Sequence, residues 1–135
     1  MRQIALECGY TAASLRERIY SSSPDNEDQD PMAGVLIYTG AADSEGTLGG
    51  LVNLGTPETL GRHIDHALEQ MRLCASDPLC AEHHPLQDGS PVLHGAACHA
   101  CAFAPETSCE RGNKYLDRTT LVRTFDNSHT PFFDR

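Results

Sequence analysis

Cysteine is the residue type whose spacing points most clearly to chemistry in this chain. Five of the six cysteines fall in one stretch, as Cys74, Cys80, Cys98, Cys101 and Cys109. Cys98 and Cys101 form a C-x-x-C turn, from which two sulfurs can reach one ion. A second pair from a distant segment, such as Cys74 and Cys80 in CASDPLC, completes four tetrahedral ligands. The pattern predicts a structural zinc ion, with these five cysteines as candidate ligands.

Spacing alone leaves the set of four ligands open. Cys74 ends a predicted helix and could instead belong to the core, so Cys74 and Cys109 compete for one ligand position. Cys8 lies far from the cluster and is expected to be a buried thiol. Four nearby histidines are alternative ligands: His83, His84, His94 and His99. Because four sulfurs suffice for the metal, His94 and His99 are expected to contact loop carbonyls instead.

Other uses of clustered thiols fit the sequence less well. A redox dithiol opens a helix that follows a strand, whereas Cys98 follows the loop-like LHGAA. Free buried thiols do not explain five cysteines in so short a stretch. A zinc hydrolase needs an open coordination position, which an all-thiolate site lacks. The chain is therefore expected to bind zinc structurally and not to be an enzyme.

The cysteine-bearing segment has little regular structure of its own. Prolines and glycines recur between residues 75 and 112, and neither helical nor strand periodicity persists there. A long irregular segment inside a compact domain needs another source of order. Zinc supplies it, because such a site and its fold form together. The zinc-stapled region is expected to span about residues 74–112.

The elements that position this region are predicted to be helices around a short sheet. Apolar side chains recur at helical spacing in residues 56–74, with Thr56 as N-cap and Pro57 in the first turn. A second stripe predicts helix over residues 3–20, broken at Gly9. A final helix is expected over residues 114–124, capped by Asn113.

One strand is predicted from a short apolar run. AGVLIYT at residues 33–39 is too short for a buried helix and is expected to form a buried strand. Residues 40–50 are expected to be an exposed glycine-rich loop, and residues 51–54 either a second strand or an entry to the next helix. The fold class is α/β (α+β): a small single domain over residues 1–135, with a short sheet, packing helices and the zinc-stapled loop region.

Charge limits the partners of this chain. The net charge is −9, which repels phosphate backbones and excludes sequence-independent nucleic-acid binding by the whole surface. A local basic face remains for nucleic-acid contact within a larger assembly, formed by Arg111, Lys114, Arg118 and Arg123.

No apolar run approaches the roughly 18 residues of a membrane span. The N-terminus also lacks a secretory apolar region, so the chain is expected to be cytoplasmic and to use its cysteines for metal.

Three further sequence patterns suggest a function only weakly. GTLGG at 46–50 lacks the Lys-Ser/Thr of a phosphate-binding loop, and it is expected to be a turn or, with the residues up to Leu54, a contact with a partner. Asp43 and Glu45 have no base, nucleophile or metal cluster with them. Residues 5–19 resemble a helix-turn-helix, which gives the alternative function of a stand-alone DNA-binding regulator.

Several stretches together resemble one known family. They are IYTGAADSEGTLGGLVNLG, CASDPLCAEH, LHGAACHACAFAPETSCERGN and KYLDR. The resemblance is to the MZB (Mrf zinc-binding) domain, found at the C-terminal ends of helicase-like proteins, and it covers about residues 1–125. Within that family, the sequence is most similar to the branch formed by the B component of the DISARM anti-phage defence system.

The resemblance implies a zinc-binding module that works beside a helicase. The family's cysteine ligands fall on Cys74, Cys80, Cys98 and Cys101, and Cys109 matches a cysteine before a Gly-Asn pair. It further implies a helicase-like partner (DrmA-like), with DNA engaged through the complex. The proteins of the family are far longer than this chain, which resembles their last portion.

Overall fold

In the part of the chain that the structure describes, three α-helices accompany a two-stranded antiparallel sheet, which agrees with the predicted α+β class. The computed structural model describes residues 1–23, 30–40, 50–85, 92–126 and 130–133. Its elements are α1 (Arg2–Cys8), β1 (Leu15–Ser22), β2 (Met32–Thr39), α2 (Gly50–Leu54) and α3 (Pro57–Met71). The GTLGG turn up to residue 49 and the acids Asp43 and Glu45 lie outside the described residues.

The predicted helix over residues 3–20 is wrong beyond Cys8. Gly9 ends α1 in a left-handed conformation with φ 69°, and a single 3₁₀ turn leads into β1. Leu15 and Ile19 are four residues apart, a spacing that places side chains on one face of a helix or of a strand. Pairing with β2 decides between the two. The helix-turn-helix reading of residues 5–19 is therefore also wrong, because its second helix is a strand.

β2 is a strand as predicted, but it is not buried. It pairs with β1 over its full length, from Leu15 opposite Thr39 to Ser22 opposite Met32. Val35 is 62% exposed and Leu36 47% exposed. A buried strand needs cover on both faces, and the described residues give this sheet only partial cover.

The core lies where α1 meets the start of β1. Ile4, Ala5, Tyr10 and Leu15 form its buried cluster, and Cys8 packs partly buried against it. Burial and the neighbouring charge of Glu7 raise the pKa of the Cys8 thiol. The cluster is small, so much of the remaining order must come from polar contacts and the cysteines.

The helix predicted over residues 56–74 forms as α3, although it is shorter at its C-terminal end, and the residues before it form a separate short helix rather than a second strand. Residues 50–54 form the short helix α2, whose Leu51 and Leu54 pack on the core while Val52 is 76% exposed. Pro57 is the first residue of α3, and the helix ends at Met71, just before the first cysteine turn. Among the described residues, no helix has the length and apolar character needed to cross a membrane.

The predicted final helix over residues 114–124 is wrong. A single 3₁₀ turn, Arg118–Thr120, forms there instead. Its cap is Asp117, whose carboxylate accepts from the backbone N–H of Thr119 at 2.9 Å. Asn113 has φ 62°, and its side chain is paired with the backbone of Ala104 rather than capping a helix.

Candidate metal centre

Two turns bring four cysteine sulfurs into one cluster. Cys74 and Cys80 belong to the turns that follow α3, and Cys98 and Cys101 to a turn some twenty residues later. All four sulfurs lie within 4.8 Å of one another. Cys74 Sγ is 3.4 Å from Cys98 Sγ, and Cys80 Sγ is 3.8 Å from Cys101 Sγ. We call these four residues the cysteine tetrad.

The spacing of the tetrad fits a tetrahedral zinc ion. Zinc–sulfur bonds of about 2.3 Å in tetrahedral geometry place neighbouring sulfurs about 3.8 Å apart. Within the C-x-x-C turn, Cys98 Sγ and Cys101 Sγ are 3.9 Å apart. A disulfide would need a sulfur separation of about 2.05 Å, and the six cysteines are all free thiols. The four sulfurs are therefore not paired in disulfides and can together provide all four ligands of one metal ion.

Backbone N–H groups donate hydrogen bonds to sulfurs of the tetrad. The N–H of Ser76 donates to Cys74 Sγ at 3.4 Å. Burial acts to raise the pKa of Cys98, but hydrogen bonds from the backbone of Ala100 and Cys101 and from neighbouring thiols outweigh it and lower that pKa to about 6. Cys98 is thus a thiolate at neutral pH, the form that binds metal.

Burial and neighbouring charge disfavour the thiolate forms of Cys80 and Cys101, the other two cysteines discussed for the tetrad. Burial, followed by the charge and thiol of Cys101, raises the pKa of Cys80, which is only 7% exposed. Burial also raises the pKa of Cys101, against a hydrogen bond from the N–H of Cys98 at 3.3 Å. Four thiolates this close repel one another unless a divalent cation lies between them. The chemistry of the cluster therefore fits zinc.

Zinc affinity should increase with pH and be lost on acidification. Because the pKa values of Cys80 and Cys101 are raised, these thiols bind their protons more tightly than an ordinary thiol does, and zinc must displace those protons. The check is competition against a chelating dye between about pH 6 and about pH 8.5, where thiols with raised pKa values still carry the protons that zinc displaces. An apparent affinity that does not change over this range would contradict the assignment.

Arg118 is the structural link between the two cysteine turns. Its side chain is fully buried, at 0% exposed. The guanidinium donates to the carbonyl oxygens of Met71 (2.9 Å) and Arg72 (3.2 Å) at the end of α3, and to Ala96 (3.1 Å) just before Cys98. A cation at a helix C-terminus also interacts favourably with the helix dipole. One side chain therefore fixes α3 against the second cysteine turn.

Asp77 completes this link on the side of the first cysteine turn. One carboxylate oxygen pairs with Arg118, and the other accepts from the backbone N–H of Cys74 at 2.7 Å. The buried Arg118 charge is thus neutralised by a carboxylate that also orients a member of the tetrad. Sequence reasoning missed this contact, because the two residues are 41 positions apart in the chain.

Gly95 is the point of closest approach between the second cysteine turn and residues 116–118. Its N–H donates to the carbonyl of Leu116 at 2.9 Å. A Cβ added at Gly95 would lie 2.6 Å from Cγ of Asp117, the residue that caps the Arg118 turn. Only glycine fits between these two segments without displacing the cap.

Arg2, on α1, supports the C-x-x-C turn from the other side. Its guanidinium donates to the carbonyls of His99 (3.3 Å), Ala100 (3.3 Å) and Cys101 (3.0 Å). The N-terminal helix is therefore bound to the tetrad region by a contact spanning almost the whole sequence. No local pattern in the sequence indicates it, because the two segments are about a hundred residues apart.

The four histidines near the tetrad take no place in the sulfur cluster. His94 Nδ1 contacts the carbonyl of Gly95 at 3.2 Å, as predicted. His94 and His99 both pack edge-on against Phe103, with ring centroids 4.9 and 5.0 Å away. His84 Nε2 is 2.6 Å from the carboxylate of Asp126. The His99 side chain was predicted to contact a loop carbonyl. In the structure, the backbone carbonyl of His99 instead accepts a hydrogen bond from Arg2.

Cys109 lies apart from the tetrad. The metal-ligand cluster found among the described residues contains the other four cysteines of the stretch and not this one. Cys109 instead lines an apolar cavity together with Ile4 and Ile19. The four sulfurs that lie together among the described residues thus include that of Cys74 and not that of Cys109.

The predicted basic face does not assemble. Arg118 is buried and bonded internally, so its inclusion was wrong. Arg111 and Lys114 are exposed at the mouth of the apolar cavity, whereas Arg123 is exposed beside Glu69 and Arg72. Nucleic-acid contact by these three remaining cations stays a prediction.

The described residues thus combine a two-stranded sheet, three α-helices and a cluster of four sulfurs, which is the arrangement of a small zinc-binding domain. The model of one family, described as the MrfA Zn-binding domain (MZB), matches residues 1–102. The chain belongs to this family, and the zinc cofactor predicted from the cysteines is confirmed. The match includes all four members of the tetrad and ends before Cys109.

A characterised relative matches almost the whole chain. The DISARM protein DrmB of Bacillus paralicheniformis (strain ATCC 9945a / NCIMB 11709 / CD-2) is 45% identical over 133 residues. The alignment covers 98% of this chain and 22% of that protein. The chain therefore spans less than a quarter of the length of the relative that it matches.

Proposed function

We propose that this domain is a non-catalytic interaction module of a DISARM-like anti-phage assembly, held together by a structural zinc ion. Its zinc ligands are Cys74, Cys80, Cys98 and Cys101, and Cys109 is the spare cysteine. The observation that carries the proposal is the closed four-sulfur cluster in a chain 45% identical to the DISARM protein DrmB. Four protein ligands leave zinc no open position for water or substrate.

The surroundings of the tetrad also argue against catalysis. The carboxylate nearest to it by contact, that of Asp77, is committed to Arg118 and to the N–H of Cys74. A general base must be able to reach a substrate proton, and this carboxylate is used for positioning. The domain therefore contributes a binding surface of fixed shape to the assembly, and not a catalytic group.

The partner that we propose is a helicase-like protein, with DNA engaged through the complex. The relation to DrmB supports an assembly role, and the family resemblance described above points to a helicase-like component (DrmA-like). The net charge of −9 makes independent binding to duplex DNA weak at physiological salt. Of the four cations predicted to contact DNA, Arg111, Lys114 and Arg123 are exposed.

Co-purification tests this function. The 135-residue chain, tagged and expressed with the genes of its native neighbourhood, should retain a helicase-like protein through washing. A variant with Cys98→Ser and Cys101→Ser should lose that protein, because the surface depends on the zinc fold. Recovery of the zinc-loaded chain with no helicase-like protein, or tight sequence-specific DNA binding by the chain alone, would overturn the proposal.

A further inference from the structure

An apolar groove lies between the sheet and α3 and is not filled by described residues. Its volume is about 440 Å³. The sheet contributes Ile19, Val35 and Ile37, and α3 contributes Leu60, Ile64 and Ala67.

The groove exposes side chains that a monomeric surface rarely leaves open. Ile19 is 59% exposed, Val35 62% and Ile64 43%. The sequence of β2 is that of a buried strand, yet its cover is missing among the described residues. Contiguous apolar surface of this kind marks sites of association.

A turn with two cations forms one lip of the groove. Arg111 and Lys114 both line it and are exposed, and neither forms an ion pair with a described residue. The turn between them has φ 56° at Gly112 and φ 62° at Asn113. Asn113 is 4% exposed, and its amide donates to the Ala104 carbonyl at 2.7 Å and accepts from the Ala104 N–H at 3.1 Å. The positions from which the two cations project are thus fixed.

The charge of this lip is opposite to that of the chain as a whole. The net charge is −9, so most of the surface repels acidic partners. Among the described residues that line the groove, the one acid is Glu17, whose carboxylate accepts from the N–H of Glu110 at 2.9 Å. An apolar groove with a cationic lip selects a ligand that is apolar in its middle and acidic at its edge.

We infer that the groove binds a protein segment whose apolar side chains enter between β2 and α3 and whose flanking Asp or Glu side chains pair with Arg111 and Lys114. This inference rests on the proposed interaction function and specifies its surface. It also gives a role to Cys109, Arg111 and Asn113, which are not part of the tetrad and which line the groove.

Selection of random peptides displayed on phage tests the inference on the zinc-loaded 135-residue chain without any helicase. The sequences retained should combine apolar residues with Asp or Glu. Ile64→Asp should abolish retention, and Leu6→Asp is its control, since Leu6 is 75% exposed and does not line the groove. Zinc content and circular dichroism confirm that each variant folds.

Charge reversal tests the lip separately from the groove. Arg111→Glu with Lys114→Glu should weaken the selected acidic peptides by about tenfold and shift a new selection towards Lys and Arg. Arg62→Glu, an exposed change on α3 outside the lining, should alter binding by less than about twofold.

The remaining outcomes would overturn the inference. They are peptides that ignore Ile64→Asp, groove-dependent peptides without acidic enrichment, and a dimer of the chain that Ile64→Asp dissociates. The last would assign the groove to a second copy of this chain. Loss of helicase co-purification with peptide selection intact would instead count against the proposed function and leave the groove standing.

Discussion

Replacing Cys98 or Cys101 with serine should leave the purified chain without zinc and without its native fold. The buried cluster of Ile4, Ala5, Tyr10 and Leu15 is small for the chain length. Structural zinc contributes about 10–16 kcal/mol in small domains, which is as large as the whole stability of an ordinary domain, about 5–15 kcal/mol. Loss of zinc binding through the loss of one sulfur therefore removes a contribution comparable to the whole stability of such a domain.

Cysteines outside the tetrad provide the matched controls for this result. Cys109→Ser and Cys8→Ser should keep one zinc per chain, because neither thiol belongs to the four-sulfur cluster. Elemental analysis reports the metal, and far-ultraviolet circular dichroism reports the fold. If Cys109→Ser lost zinc while Cys74→Ser kept it, the assigned ligand set would be wrong.

Arg118→Ala should be the most destabilising substitution outside the tetrad. It removes donors from three carbonyls and leaves the buried Asp77 carboxylate without its cation. Breaking a buried ion pair on one side costs about 3–5 kcal/mol, so the melting temperature should fall by on the order of 10 °C. Arg118→Lys should recover part of this loss through the charge, but not the forked hydrogen bonding.

Arg123→Ala is the control for that measurement. Arg123 is exposed and lies five residues further along the chain, so its removal should change stability by less than about 0.5 kcal/mol. Thermal unfolding with zinc bound compares the two variants directly. Equal stability of Arg118→Ala and Arg123→Ala would show that the link between the cysteine turns is dispensable.

The sequence predicted the metal and most of the tetrad because metal ligation has strict spacing. The C-x-x-C turn at Cys98 and Cys101 and the irregular segment around it carry this information locally. The contacts of Arg2 and Arg118 with the cysteine turns are not encoded locally, because they join residues that are far apart in the sequence. Arg118 was predicted to lie on a basic face, since a lone charged residue gives no sign of burial unless its partner is known.

Secondary structure was predictable where one period dominated. The apolar stripe of α3 and its proline start have a single reading, and the helix is there. Residues 15–22 carry side chains spaced for either a helix or a strand, and only pairing with β2 resolves them. β2 reads as buried because its composition is apolar, whereas its exposure depends on what covers the sheet, which composition does not encode.

X-ray absorption at the zinc edge, combined with elemental analysis of the purified chain, tests the central claim most directly. The account predicts one zinc per chain, bound by four sulfurs at about 2.3 Å with no nitrogen or oxygen neighbour. A zinc ion with histidine or water in its coordination shell, or a folded chain whose stability is unchanged by removing all zinc, would contradict it.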